Sequence, residues 1–214
     1  MPLVRLLIRL GVTPNVITTI GLIINVLAAV VFVFGAERAN RGEFAFIGWA
    51  SALILFAGLF DILDGQVARE GKMKTTFGAI YDSVLDRYSE LVMFLGICYY
   101  LVAHGYFLSS LFAFIAMIGS VMVSYTRARA EGAGIQCNTG LMQRPARIII
   151  IGVSGIICAI AAEIIGSDYK LILPFFPRRI AETISIFVIP IAVVAVLSNI
   201  TAIGRLRHCR KQLL

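Results

Sequence analysis

DILDGQVAREGKMKTTFGAIYDSVLD, residues 61–86, carries four aspartates, Asp61, Asp64, Asp82 and Asp86, in a chain that otherwise avoids charge. The segments on either side, ASALILFAGLF (50–60) and ELVMFLGICYYLV (90–102), are apolar enough to lie in a bilayer. A carboxylate near the centre of a membrane helix costs about 2.5–3.5 kcal/mol on insertion scales. Four together require a compensating partner, and the basic residues close by, Arg69 and Arg87, neutralise two acids at most. Helix caps do not account for them either, since caps do not come in pairs on consecutive turns. Clustered hard oxygen ligands suit a divalent cation such as Mg²⁺ or Mn²⁺.

The surrounding composition is 59% hydrophobic and 14% charged, with mean hydropathy +0.92, which excludes a soluble domain. Six apolar segments, at 14–35, 43–67, 77–103, 106–128, 147–165 and 180–203, meet or approach the ~20 residues needed to cross a hydrocarbon core. They predict an all-α integral membrane protein of six transmembrane helices, with residues 1–214 forming a single domain. MPLVRLLIRLGVTP at the start is not a signal peptide, because Arg5 and Arg9 break its apolar run and no cleavage site follows. Arg5 and Arg9, four apart among leucines, predict a short amphipathic helix on the membrane surface before Pro14 opens the first span.

The basic residues orient this arrangement. One side carries Arg5, Arg9, Arg69, Lys72, Lys74, Arg127, Arg129, Arg144, Arg147, Arg205, Arg207, Arg210 and Lys211, and the other only Arg38, Arg41, Lys170, Arg178 and Arg179. The richer side is cytoplasmic by the positive-inside rule, with both termini on it. A net charge of +7 dispersed around a membrane mouth suits anionic headgroups or phosphorylated substrates, and not nucleic acid. Cys98 and Cys158 fall within spans as packing residues; Cys137 and Cys209 belong to the cytoplasmic side, where thiols stay reduced and Cys209 is read as unmodified.

Asp61 and Asp64 are i,i+3 near the end of the second span, and Asp82 and Asp86 are i,i+4 near the start of the third. The short basic link 69–76 makes those helices antiparallel neighbours, so all four carboxylates converge one or two turns below the cytoplasmic surface. Gly65, directly after Asp64, and Ala68 keep the same face shallow, which allows a ligand to approach the backbone. Gly78 equally suits tight helix packing. Arg69 is placed to meet a phosphate oxygen across the metal.

The spacing Asp61-x2-Asp64-Gly65-x2-Ala68-Arg69-x8-Gly78-x3-Asp82-x3-Asp86 resembles the signature of the CDP-alcohol phosphotransferase family, with every fixed position filled. Eight specified residues at fixed spacing arise by chance with a probability on the order of 10⁻¹⁰ per start site at ordinary composition. The resemblance implies six membrane helices with an N-terminal interfacial helix, a homodimer, and two divalent metal ions, Mg²⁺ or Mn²⁺. It also implies transfer of a phosphatidyl group from CDP-diacylglycerol to an alcohol, with release of CMP. Carried over by motif position, Asp61, Asp64 and Asp82 hold the metals, and Asp86 completes the site and acts as catalytic base. Gly65, Arg69 and Thr75, with Gly78 beside them, match positions at the CDP moiety, and Asn15, Val16, Ile17 and Thr18 match the N-terminal motif near the nucleotide. Metals bridging a diphosphate offset its charge and stabilise CMP as leaving group, while a carboxylate takes the acceptor's proton. No Ser or Cys has the context of a nucleophile, and His104 and His208 are far from the acids in sequence, so direct displacement is expected.

The acceptor is read from arginines. Arg127 ends the fourth span, Arg144 and Arg147 flank Pro145 at the start of the fifth, and Arg205 ends the sixth. Together they suit a phosphate dianion. Both segments look like those of the phosphatidylinositol phosphate synthase branch of the family, whose acceptor is inositol phosphate, although Ala146 stands where relatives often have an acid. Glycerol 3-phosphate is the main alternative acceptor, whereas serine, free inositol or choline leaves the arginines without a partner. A cation transporter is the reading from another class. It fits poorly, because transporter sites recur in symmetric halves near the midplane, and Glu163 and Glu182 are isolated.

Overall fold

Each predicted span becomes one long helix, and residues that suit helix ends set the boundaries. The computed structural model describes residues 2–137, 139–166, 170–171 and 181–213. Among these, α1 (Pro2–Arg9), α2 (Pro14–Arg38), α3 (Ala45–Glu70), α4 (Thr76–Ala103), α5 (Phe107–Gly132), α6 (Arg144–Ile165) and α7 (Ser185–Leu213) follow in order. Pro14 and Pro145 occupy first turns, where a missing N–H costs nothing. Gly105 and Gly134, both at φ +77°, let the chain leave α4 and α5. α1 has the expected amphipathic character: Val4 packs with Ile17 and Val67, while Leu3, Leu6 and Leu10 stay exposed.

α2, α3, α5, α6 and α7 are long and apolar enough to cross a membrane. At 28 residues α4 has the length, but Asp82, Asp86, Arg87 and Glu90 lie between its start and its middle, so the expected six spans appear as five apolar helices and one carrying charge. A small departure from the all-helical expectation lies between α6 and α7, where β1 (Lys170–Leu171) pairs antiparallel with β2 (Ala181–Glu182). Arg178 and Arg179, expected opposite the acids, and the side chain of Lys170 lie outside the described residues.

The six long helices close into a ring: α4 packs on α2, α2 on α3, α3 on α6, α6 on α7, α7 on α5, and α5 back on α4. Alternating direction brings the starts of α2, α4 and α6 and the ends of α3, α5 and α7 to one end of the bundle. Phe32 fills the interior, stacked on Phe187 at 6.3 Å between centroids and edge-on to Tyr100 at 6.1 Å. Lipid is as apolar as leucine, so such helices are held by close packing and interhelical hydrogen bonds rather than by expulsion from water. Small residues stand at the crossings accordingly. A Cβ on Gly96 would come within 2.9 Å of the Ala29 backbone, and one on Gly119 within 2.9 Å of Ser198. Asn199 Nδ2 donates across the α5–α7 crossing to Ile115 O at 3.2 Å. Ile23, Leu95, Phe114, Ile157 and Val196 face outward, a girdle that water would not tolerate and lipid requires.

Candidate active site

The acids lie at the end of the ring where α3 finishes and α4 begins. The turn between them reverses the chain tightly, with Lys72 at φ +53°. Asp64 is buried and accepts a hydrogen bond from Thr18 Oγ1 at 2.7 Å, which ties α3 to the first turns of α2. Asp61 accepts a hydrogen bond from Arg144 Nη1, and the same nitrogen is 2.7 Å from Asp86 Oδ1. Arg87 Nη2 reaches Asp86 Oδ2 more loosely, at 3.5 Å. Asp82 makes no hydrogen bond or ion pair among the described residues. The expectation that only Arg69 and Arg87 are near enough to neutralise the acids is corrected here. Arg69 pairs with none of them, and the cation that does lies 83 positions from Asp61, beyond any local search of the sequence.

As the side chains stand, no group of three or more His, Cys, Asp or Glu among the described residues is drawn tightly enough to hold an ion. The chemistry of the donor set nevertheless fits a divalent cation. Four carboxylates face one guanidinium in contact and a second at 3.5 Å, leaving excess negative charge in a half-buried pocket of hard oxygen donors.

Two cavities flank the acids and share no residue. One, of about 230 Å³, lies between the starts of α2 and α4 and the end of α3, and is lined by Asn15, Thr18, Asp64, Gly65, Arg69, Thr75, Gly78 and Asp82 among others. Two helix N-termini open on it, so partial positive charge faces this cavity. Thr75 caps α4, its hydroxyl accepting from the Gly78 N–H at 2.9 Å. A Cβ on Gly78 would lie 2.9 Å from that oxygen and 3.4 Å from Asn15 Oδ1, so glycine keeps this wall open.

The second cavity, of about 360 Å³, lies among α4, α5, the start of α6 and the end of α7, and contains Asp86, Arg87, Arg127, Arg144, Arg147 and Arg205. All four arginines proposed from sequence therefore converge, but they are not equivalent. Arg147 is 1% exposed, and donates from Nε and Nη2 to Glu90 Oε1 at 3.0 and 2.5 Å and from Nη1 to Met142 O at 2.7 Å. Its charge is balanced inside the protein by Glu90, while its side chain still lines this cavity. Arg205, 4% exposed, clamps the carbonyls of Thr139 and Val123. Arg127 is half exposed and, among the described residues, is paired only with Glu131.

Val16 and Ile17 are also corrected. Consecutive helix positions point a third of a turn apart, so Asn15 and Thr18 face the smaller cavity while Val16 faces outward and Ile17 packs on Val4 and Val67. Glu90, which also accepts from Ser120 Oγ at 2.6 Å, was not singled out from sequence. Its position four residues after Asp86 at the head of an apolar run was the available signal.

The CDP-alcohol phosphatidyltransferase family model matches residues 11–197. A phosphatidylinositol phosphate synthase of Mycobacterium tuberculosis is 34% identical over 151 residues, covering 70% of this chain and 65% of the relative, so the chain spans about 65% of that protein's length. A crystal structure of the M. tuberculosis phosphatidylinositol phosphate synthase in complex with manganese and citrate superposes with TM-score 0.77 at 28% identity, covering 97% of this chain and 87% of the other. The same synthase with CDP-DAG bound gives TM-score 0.74 at 28% identity, covering 97% and 92%.

Proposed function

The chain belongs to the CDP-alcohol phosphatidyltransferase family, and on that premise we propose that it transfers a phosphatidyl group from CDP-diacylglycerol to inositol phosphate, releasing CMP. The observation that carries this reading is the row of acids between two separate cavities, one bearing the residues of the nucleotide motif and the other the arginines. Residues 1–214 act as one catalytic membrane domain. At 28 residues α4 has the length to serve as the sixth span, which would return α1 and the finish of α7 to one side of the membrane. The bias of basic residues puts that end in the cytoplasm.

Asp61, Asp64, Asp82 and Asp86 hold Mg²⁺ or Mn²⁺, two ions in all. Cations bound there offset the charge of the diphosphate and stabilise CMP as it leaves. Asn15, Thr18, Gly65, Arg69, Thr75 and Gly78 seat the CDP moiety, with Thr18 fixing the rotamer of Asp64. Asp86 lines the arginine cavity and takes the proton of the incoming hydroxyl. Arg127 and Arg144 meet the acceptor phosphate, while Arg147 and Arg205, engaged with protein groups, shape the wall and its positive potential. The working form is a homodimer, as the family resemblance implies.

Purified protein with CDP-diacylglycerol, Mg²⁺ and a panel of acceptors tests the reading by CMP release. Inositol phosphate supports turnover and free inositol does not. Equal turnover with free inositol overturns the acceptor assignment, and preference for glycerol 3-phosphate replaces the acceptor while keeping the reaction.

A further inference from the structure

Arg144 opens α6, with Gln143 as the residue before it and Pro145 locking the backbone after it, so its long side chain moves from a fixed base. One nitrogen, Nη1, serves Asp61 and Asp86 together. Nε is buried with no hydrogen-bond partner among the described residues. Arg144 also lines the cavity that contains Arg127. A divalent cation held by these acids would draw on the same two carboxylates. The same oxygens cannot serve both ligands fully.

We propose that Arg144 and the divalent cation compete for Asp61 and Asp86, so that cation loading releases the Arg144 guanidinium to the acceptor phosphate. The inference rests on the cation and acceptor assignments above and adds a coupling between the two sites. A guanidinium that loses both carboxylates is free to meet a phosphate in the adjoining cavity, where the N-terminus of α6 also favours negative charge. Linkage makes the effect reciprocal. An acceptor phosphate that draws Arg144 away from the acids tightens cation binding by the factor with which the cation tightens acceptor binding.

The test is Mn²⁺ binding to the full-length protein in nanodiscs without CDP-lipid, followed by loss of the free Mn²⁺ electron paramagnetic resonance signal. Inositol phosphate should lower the Mn²⁺ Kd by a factor in the range of roughly five to 150, the usual span of coupling between sites, and free inositol should not. Arg144→Gln should bind Mn²⁺ without inositol phosphate as tightly as the unaltered protein does with it, and should show no coupling. Mn²⁺ affinity indifferent to inositol phosphate in the unaltered protein overturns the competition, and this arm needs no variant to fold. An Arg144→Gln protein binding Mn²⁺ no more tightly than the parent overturns it too. Failure of the unaltered protein to bind Mn²⁺ at all removes the cation assignment along with it, whereas ordinary binding without coupling removes the competition alone.

Discussion

Glu90→Gln removes one charge from an ion pair whose side chains are 3% and 1% exposed, and leaves the Arg147 guanidinium buried opposite a neutral amide. Breaking a buried pair from one side costs about 3–5 kcal/mol, because the surviving charge keeps its desolvation penalty without its partner. For a chain of this length each kcal/mol moves Tm by about 2–4 °C, so the variant should melt roughly 6–20 °C below the parent. Removing both charges, with Glu90→Gln and Arg147→Met together, replaces the pair by groups of similar volume and should recover most of that loss. The two substitutions are therefore strongly non-additive. Thermal unfolding in detergent, followed by a thiol-reactive dye reporting exposure of the buried Cys137 and Cys158, measures all variants under one condition. A shift of under about 2 °C for Glu90→Gln, or a double variant as unstable as the sum of the singles, refutes the reasoning.

Asp82→Asn separates stability from activity. The Asp82 carboxylate has no hydrogen bond or ion pair among the described residues, so neutralising it should leave Tm unchanged or raise it while Mn²⁺ binding and CMP release are lost; a fall in Tm would point to a structural role. Gly78→Ala places a methyl 2.9 Å from Thr75 Oγ1 and disturbs the α4 cap, a loss of about 1 kcal/mol. It should raise the KM for CDP-lipid and spare that for the acceptor, and the opposite pattern in substrate titrations would remove Gly78 from the nucleotide cavity.

The spans and the acids were legible because both are written in local spacing. Apolar runs of the right length and the i,i+3 and i,i+4 aspartates need no knowledge of distant contacts, whereas the short link at 69–76 suggests that α3 and α4 pack side by side, and in the ring α2 stands between them. The two motif residues misplaced at the smaller cavity, Val16 and Ile17, fail for a local reason also. A run of four matched positions ignores the helical turn that lets only Asn15 and Thr18 face one way. The arginines are different. Arg144 and Arg147 are three apart and alike in sequence, yet one meets Asp61 and Asp86 and the other meets Glu90. That division depends on α6 closing the ring beside α3 while α5 closes it beside α4, a choice of neighbours that hydrophobic pattern alone does not encode.

The two cavities lie on opposite flanks of the acids with no residue in common. On the proposed assignment, with the diphosphate in one and the alcohol in the other, the hydroxyl would approach the phosphorus from the side facing away from CMP. A single displacement in that geometry turns the phosphorus inside out. A substrate made chiral there by oxygen isotopes should yield product of the reversed hand, and the handedness of the new phosphodiester would thus be a record of how six helices are arranged around one row of carboxylates.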